Sequence, residues 1–458
     1  MEALNNNSME RDYESTIPNG IRVEKEYWDN GELKSITSYK GDLKHGEAKR
    51  WNEDGLLISF ENYKDDKLDG PSKSWWDNGQ LAISNNYKDG KVDGTLEMWK
   101  INGKPVRRES YKDGVEHGAI ERFHENGQLW TRINYNNGVP EGLKEQWYIN
   151  GKLSYRGNYK NGLQEGLEEW WEDNGKLAGR ENYKNGKREG LAETWYDNGQ
   201  LEGRGNYKDG KQDGLWESWY ENGQLGRRCN YKDGFMDGLQ ERWYPNGKME
   251  HRINYKDGRA EGIYESWFRN GEPEFRGSYK DWELDGICQE WHENGELMSK
   301  KKYKEGKLDG LTERWWENGQ LAARENYKAD KLNGLLESWY SNGQMSSRGE
   351  YKDGKEEGTY EKWYKNGQLR ERFNYKDGKL EGIQEEWHED GQLSTKSSYK
   401  NGKLDGPCEE YGMDGSVIRT FFKNGVPNDP DISIEQTSQE TKKKITLKAK
   451  GEKSGLKI

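Results

Sequence analysis

The chain has 458 residues, 30% of them hydrophobic and 34% charged, with a formal net charge of -11. So few aliphatic side chains among so many charges exclude an ordinary oily core, and the mix alone resembles a disordered chain unable to offset its conformational entropy. Twenty-one Trp and 28 Tyr argue for order instead, since each aromatic side chain supplies roughly 150–250 Å² of area for burial.

Residues 1–19 form an N-terminal tail without an apolar signal-type core, and no apolar run in the chain approaches the length of a membrane span. Cys229, Cys288 and Cys408 are odd in number and far apart, so they are expected as free thiols. Together these features give an intracellular, cytoplasmic location as the expectation.

From Gly46 to Gly406, sixteen glycines recur every 24 residues without insertion or deletion. A fixed short period means one supersecondary unit copied along an axis. Counting a longer first copy, Gly20 to Leu43, the array holds about 17 units over residues 20–426. With the opening Gly as position one, positions nine and ten hold Asn-Gly in fourteen units and Asp-Gly in three, as at Asn78-Gly79, Asn198-Gly199 and Asn222-Gly223. That dipeptide predicts a two-residue type I′ hairpin turn, with positive φ at both residues. A second turn is predicted at positions twenty and twenty-one, as at Asp209-Gly210, with departures at Asp66, Trp282 and Asp330. The stretches between turns are short and rich in Trp and Tyr, so the fold class is all-β: an elongated, solenoid-like tandem array of antiparallel β-hairpins in a meander.

A turn at nine and ten places position four opposite position fifteen. From Glu97 to Glu385 position four is Glu in twelve of thirteen units, Gln289 being the exception, and position fifteen is Arg or Lys in all thirteen. Glu193 with Arg204 and Glu217 with Arg228 are therefore expected as structural charge pairs. The first three units carry Lys25, Lys49 and Lys73 opposite Ile36, Phe60 and Ser84, breaking both rules together. By alternation, one face carries position two (Leu or Ile), the Glu–Arg pair, Trp at six and Asn at seventeen. The other carries position seven, Leu at twelve and Tyr at eighteen, with Tyr207 expected to cover Gly190. Pattern does not decide which face is buried.

The unit Trp219-Tyr220-Glu221-Asn222-Gly223-Gln224-Leu225, continued through a Tyr-Lys-Asp-Gly turn to Gly238, resembles the variant MORN repeat found in tandem in bacterial and large DNA virus proteins. The likeness spans residues 20–425. It implies an elongated array of hairpins. Bacterial members are often labelled antitoxins, and MORN proteins more broadly are described as scaffolds and membrane-associated adaptors.

Beyond the array, residues 427–458 read as a disordered, Lys-rich tail. Residues 441–458 carry seven Lys against Glu452, leaving -17 for residues 1–440. An acidic body is a poor match for nucleic acid or an anionic bilayer, so membrane contact is expected only through 441–458. The six His are scattered without ligand spacing, and nucleophile-elbow, phosphate-loop and H-E-x-x-H motifs are missing. An enzyme is not expected, nor a catalytic residue, cofactor or metal. Two readings stand for the aromatic columns: packing between units, or a platform for a protein partner or self-association. Under the second, the candidate contacts are Trp75, Trp76, Trp147, Trp170, Trp171, Trp195, Trp219, Trp243, Trp315 and Trp316. The function expected is a protein-binding repeat scaffold; the alternatives are an antitoxin-like protein sequestering one partner and a peripheral membrane adaptor using the basic tail.

Overall fold

The computed structural model describes residues 12–17, 20–428, 431–436 and 444–448. Every regular element among them is a β-strand. Contacts divide the chain into two units, residues 1–224 with 231–234 and residues 225–230 with 235–458, and the same hairpin is repeated inside each.

The hairpin opening at Gly190 is representative. Its strands, Gly190–Trp195 and Leu201–Lys208, pair Gly190 with Tyr207, Leu191 with Asn206 and Glu193 with Arg204. This is the register that the charge columns predict. The Lys-bearing first units follow it too, with Lys25 opposite Ile36, Lys49 opposite Phe60 and Lys73 opposite Ser84.

The two turns differ in kind. At positions twenty and twenty-one both residues have positive φ, as at Asp209 (50°) and Gly210 (83°), which is the type I′ geometry. At nine and ten only the glycine does: Gly79, Gly199 and Gly223 lie at 80°, 86° and 81°. There Gly199 N donates to Tyr196 O at 2.8 Å and Tyr196 N to Gln200 O at 3.0 Å. The pairing slips accordingly, so that Trp195 faces Leu201. This corrects the type I′ assignment for Asn-Gly: the loop is a type I turn closed by a left-handed Gly in a bulge. The Asn is selected by its side chain. Asn198 Oδ1 accepts from Gln200 N at 2.8 Å, and its Nδ2 donates to Glu221 O of the next hairpin at 2.8 Å. Asn78 repeats this with Gln80 N at 3.0 Å and Ile101 O at 2.8 Å. Asn222 Oδ1 likewise accepts from Gln224 N at 3.0 Å.

Hairpins join through a second irregularity. Tyr63 pairs with Leu68 but Ser59 pairs with Ser74, so the return strand accommodates two extra residues, Asp69 and Gly70. Gly70 has φ 111° and Gly190 φ 82°. A Cβ built on Gly190 meets nothing within 4 Å, so Tyr207 does not cover it as expected. The opening glycine is required by its backbone angle at a bulge, not by a ring above it.

Burial separates the faces. Position three holds Ile120 (2% exposed), Cys288 (2%) and Thr312 (3%), and position sixteen holds Cys229 (2%) and Glu109 (1%). The buried face is therefore the one that includes Tyr at eighteen. It is partly polar and internally satisfied: Glu109 accepts from Tyr111 Oη at 2.9 Å, Arg122 Nε at 3.2 Å and Arg107 Nη1 at 3.3 Å. Where a large ring occupies this face, a glycine receives it. A Cβ on Gly205 would lie 2.1 Å from Trp216 Cδ2, and one on Gly179 2.0 Å from Trp170 Cζ2.

Strands also occur outside the expected array limits. Asp12–Ile17 pairs with Ile21–Tyr27. Asp431–Gln436 pairs with Ser416–Lys423 and with Lys444–Lys448. These fall in segments read from sequence as a tail and as disordered; apart from Pro427 and Asn428, the rest of both tails, Lys442 and Lys443 included, lies outside the described residues.

Candidate functional site

The exposed face is built from rows that recur once per hairpin. The outermost is position two. Leu143, Leu167, Leu191 and Leu215 are 37–44% exposed in the first unit, and Leu239, Ile263, Ile287 and Leu311 are 38–53% exposed in the second. Position seventeen, opposite each of them, is Asn except at Ser278 and Lys302, which face Ile263 and Ile287, and the Asn amide turns to the backbone: Asn182 Nδ2 donates to Leu191 O at 3.1 Å and Asn326 Nδ2 to Leu335 O at 3.0 Å. The aliphatic row is thus left facing solvent beside polar groups that are already occupied.

The next row is a ladder of charge. An Arg stands between the Glu of its own hairpin and that of the next, as Arg156 is opposite both Glu145 and Glu169; Arg276, opposite Glu265 and Gln289, is an exception. Arg108 bonds both of its neighbours, Glu97 at 2.7 Å and Glu121 at 3.2 Å. The choice of partner varies. Arg132 and Arg156 take their own Glu, at 2.8 and 3.1 Å. Arg180 instead reaches Glu193 at 2.6 Å and Arg204 reaches Glu217 at 2.7 Å, each in the following hairpin. The expected Glu193–Arg204 pair is therefore correct in register but not in bonding. Arg228 lies 4.0 Å from Glu241. These arginines are about half exposed, so each pair contributes only ~0.2–1 kcal/mol.

Trp at position six lies beneath this ladder. The Arg of one hairpin covers the Trp of the next: Arg132 over Trp147 at 5.9 Å, Arg156 over Trp171 at 6.0 Å, Arg180 over Trp195 and Arg204 over Trp219 at 5.5 Å, and Arg228 over Trp243 at 5.9 Å. These rings are half-buried, as are Trp75 and Trp315, and the structure uses them to join hairpins. Trp170 is set apart from the expected row, standing at position five against Gly179 on the buried face. Trp76 and Trp316 are exposed at 39% and 42%.

Position seven explains a residue choice that sequence reasoning left as simple substitution. Its polar tip donates to the carbonyl of position six in the next hairpin: Trp76 Nε1 to Trp99 O at 3.1 Å, Tyr148 and Tyr196 Oη to Trp171 and Trp219 O at 2.8 Å, and His124 Nε2 to Trp147 O at 2.8 Å. Tyr, Trp and His alternate here because each is a flat ring with a donor at its end. Burial pushes the Tyr148 and Tyr196 hydroxyls above their usual range, so they stay protonated donors. The signal was the restriction of this column largely to donor-bearing rings.

Sequence reasoning also passed over Trp282 as a turn departure. It takes φ 74° where most other units place Gly, is 56% exposed, and contacts Tyr255 at 6.1 Å between ring centroids. In the second unit two clefts of about 720 and 510 Å³ open beside position seven, sharing His292 and Met298. Among the described residues no group of three or more His, Cys, Asp or Glu is placed to hold a metal ion, and no helix is long and apolar enough to cross a membrane.

A family profile described as "MORN repeat variant" matches fourteen segments: residues 23–40, 68–89 and then twelve consecutive ones from 116–137 to 380–401. Together they cover more than half of the chain. This chain belongs to the MORN repeat variant family. The donor-bearing position seven, the Asn-Gly bulge and the type I′ turn are thus the working parts of a MORN-variant unit in this sequence. A comparison with curated proteins finds no match. Among solved structures, one titled "Crystal Structure of TcdB2-TccC3-TEV" is similar at 9% identity with a TM-score of 0.16, over 95% of this chain and 29% of that one. The chain therefore spans less than a third of that protein's length.

Proposed function

We propose that this MORN-variant array is a non-enzymatic scaffold that binds protein partners through its exposed face. The observation that carries the reading is the row of exposed Leu and Ile at position two, running beside the Glu–Arg ladder in both units. An apolar row rimmed by ordered charge has the composition of a protein contact, and its repetition makes the surface multivalent. A soluble domain gains nothing in folding from leaving the same aliphatic position exposed in hairpin after hairpin.

The test compares partner capture from the native cell by the intact chain and by a Leu167→Lys, Leu191→Lys, Leu215→Lys variant. These side chains are already exposed, so circular dichroism and thermal unfolding should change little. Loss of the captured proteins supports the scaffold; identical capture by both forms refutes a role for this face. A single stoichiometric partner would mark sequestration of the antitoxin type, and loss of membrane proteins on deleting residues 441–458 would mark a tail-dependent adaptor.

A further inference from the structure

The two clefts of the second unit are equivalent places one hairpin apart. One is lined by Tyr264, Phe268, Phe275, His292 and Met298. The other is lined by His292, Met298, Trp315, Trp316 and Ala323. Their shared wall makes one groove crossing successive hairpins, with Phe268, His292 and Trp316 at position seven spaced along it. Two of these rings are fixed from behind: His292 Nε2 bonds Trp315 O at 3.2 Å and Trp316 Nε1 bonds Trp339 O at 3.2 Å. The groove therefore offers rigid aromatic walls whose donors are already used.

Three properties narrow the occupant. Antiparallel hairpins advance by two inter-strand steps, ~9.6 Å. A polyproline II segment repeats every three residues at ~3.1 Å each, or ~9.3 Å, whereas an extended strand repeats a face every ~6.8 Å and an α-helix every ~5.4 Å. Only the first keeps step with the rings. Second, polyproline II needs no backbone hydrogen bonds from its receptor, and this groove has few to give. Third, the rim is acidic. Glu290 is neutralised by Lys301 at 2.9 Å and Arg314 is bonded to Glu325, while Glu274, Glu293 and Glu317 have no ion-pair partner among the described residues.

We infer that this groove binds a basic, proline-rich peptide segment in the polyproline II conformation, with one apolar residue in every three seated between successive position-seven rings and cationic side chains on the carboxylate rim. The inference rests on the reading of the array as a protein-binding scaffold and names the chemistry of one of its ligands.

The full chain is titrated against a fluorescein-labelled peptide of Pro-Pro-Arg repeated four times, read by fluorescence polarisation. Matched Gly-Gly-Arg and Pro-Pro-Glu repeats serve as probes of conformation and charge. Both are expected to bind at least about tenfold more weakly than the Pro-Pro-Arg peptide. Trp316→Ala should weaken binding about tenfold and Ala322→Phe, which fills the cleft, comparably, while Trp316→Phe keeps a ring and stays within about threefold. Ala322→Phe and Trp316→Phe preserve the test if Trp316→Ala unfolds locally. Equal binding of the Pro-Pro-Arg and Gly-Gly-Arg peptides, or unchanged binding in Ala322→Phe, overturns the inference. The Leu-row variant lies in the other unit, so capture that depends on that row while this titration fails would sink the groove alone and leave the scaffold reading intact.

Discussion

Gly205→Ala is the smallest change that interrogates the packing of the buried face. The added Cβ would lie 2.1 Å from Trp216 Cδ2 and 2.2 Å from Cε2, against a normal carbon contact of ~3.5–4.0 Å. The indole must therefore move by more than an ångström. It is held by a bond from Nε1 to Asn206 O at 3.1 Å and by edge contacts to Tyr207 and Tyr231 at 5.1 and 6.2 Å. Overpacking of this kind costs ~1–3 kcal/mol, and losing the indole hydrogen bond adds ~1 kcal/mol. We expect a local loss of about 2–4 kcal/mol, read as faster hydrogen exchange of amides in residues 190–224 and as lower resistance to urea. The decisive comparison is a cycle with Trp216→Ala. Gly205 has no positive φ, so in that background Ala should be neutral or stabilising by ~0.4–1 kcal/mol through the unfolded state. A penalty of equal size in both backgrounds would refute the steric account.

Gly190→Ala meets no atom, so its cost should be only the left-handed strain of φ 82°, ~1 kcal/mol and indifferent to mutation of Tyr207; a dependence on Tyr207 would restore the ring-over-glycine picture. Trp282→Gly removes the strain of φ 74° and should raise stability by ~1 kcal/mol; a gain in stability coupled to a loss of partner binding would mark Trp282 as a contact held at a conformational cost. Asn198→Asp keeps the acceptor for Gln200 N but loses the donor to Glu221 O, and should cost ~1 kcal/mol, visible as faster exchange at Gly199 and Gln200. Burial holds the His251 imidazole below its usual value, so the folded state resists its protonation. Stability should therefore be highest above the unfolded value near 6.5 and fall as pH drops below it. His251→Asn should flatten that slope between about pH 7 and 5, and an unchanged slope would remove His251 from the explanation.

Much of this architecture was legible because each 24-residue copy repeats the same local chemistry. The meander, the existence of the second turn at Asp209-Gly210 and the opposition of Glu193 to Arg204 follow from turn dipeptides and charge columns alone. What sequence did not yield depends on contacts between copies. Arg180 reaches the next hairpin's Glu193 rather than a carboxylate of its own, and Arg204 covers Trp219 instead of leaving it as an open platform. Which Glu an Arg selects is a choice between two partners of the same type on either side of it, and no residue pattern encodes it. The Asn-Gly turn was misread because I′ loops and bulged type I loops share that dipeptide; the second acceptor for Asn198 lies 23 residues on, in another hairpin. The buried face was undecidable because both faces carry aromatics, and it is the complementarity of glycines to rings, as at Gly179, Gly205 and Gly349, that betrays where rings are enclosed.

The most direct test of the interaction surface is photo-crosslinking in the native cell, with a photoreactive residue placed in turn at Leu191 and Leu215 on the exposed row and at Asp209 in the neighbouring turn. The scaffold account predicts discrete protein adducts at both row positions and little or none at Asp209. Adducts no more abundant at Leu191 and Leu215 than at Asp209 would contradict it.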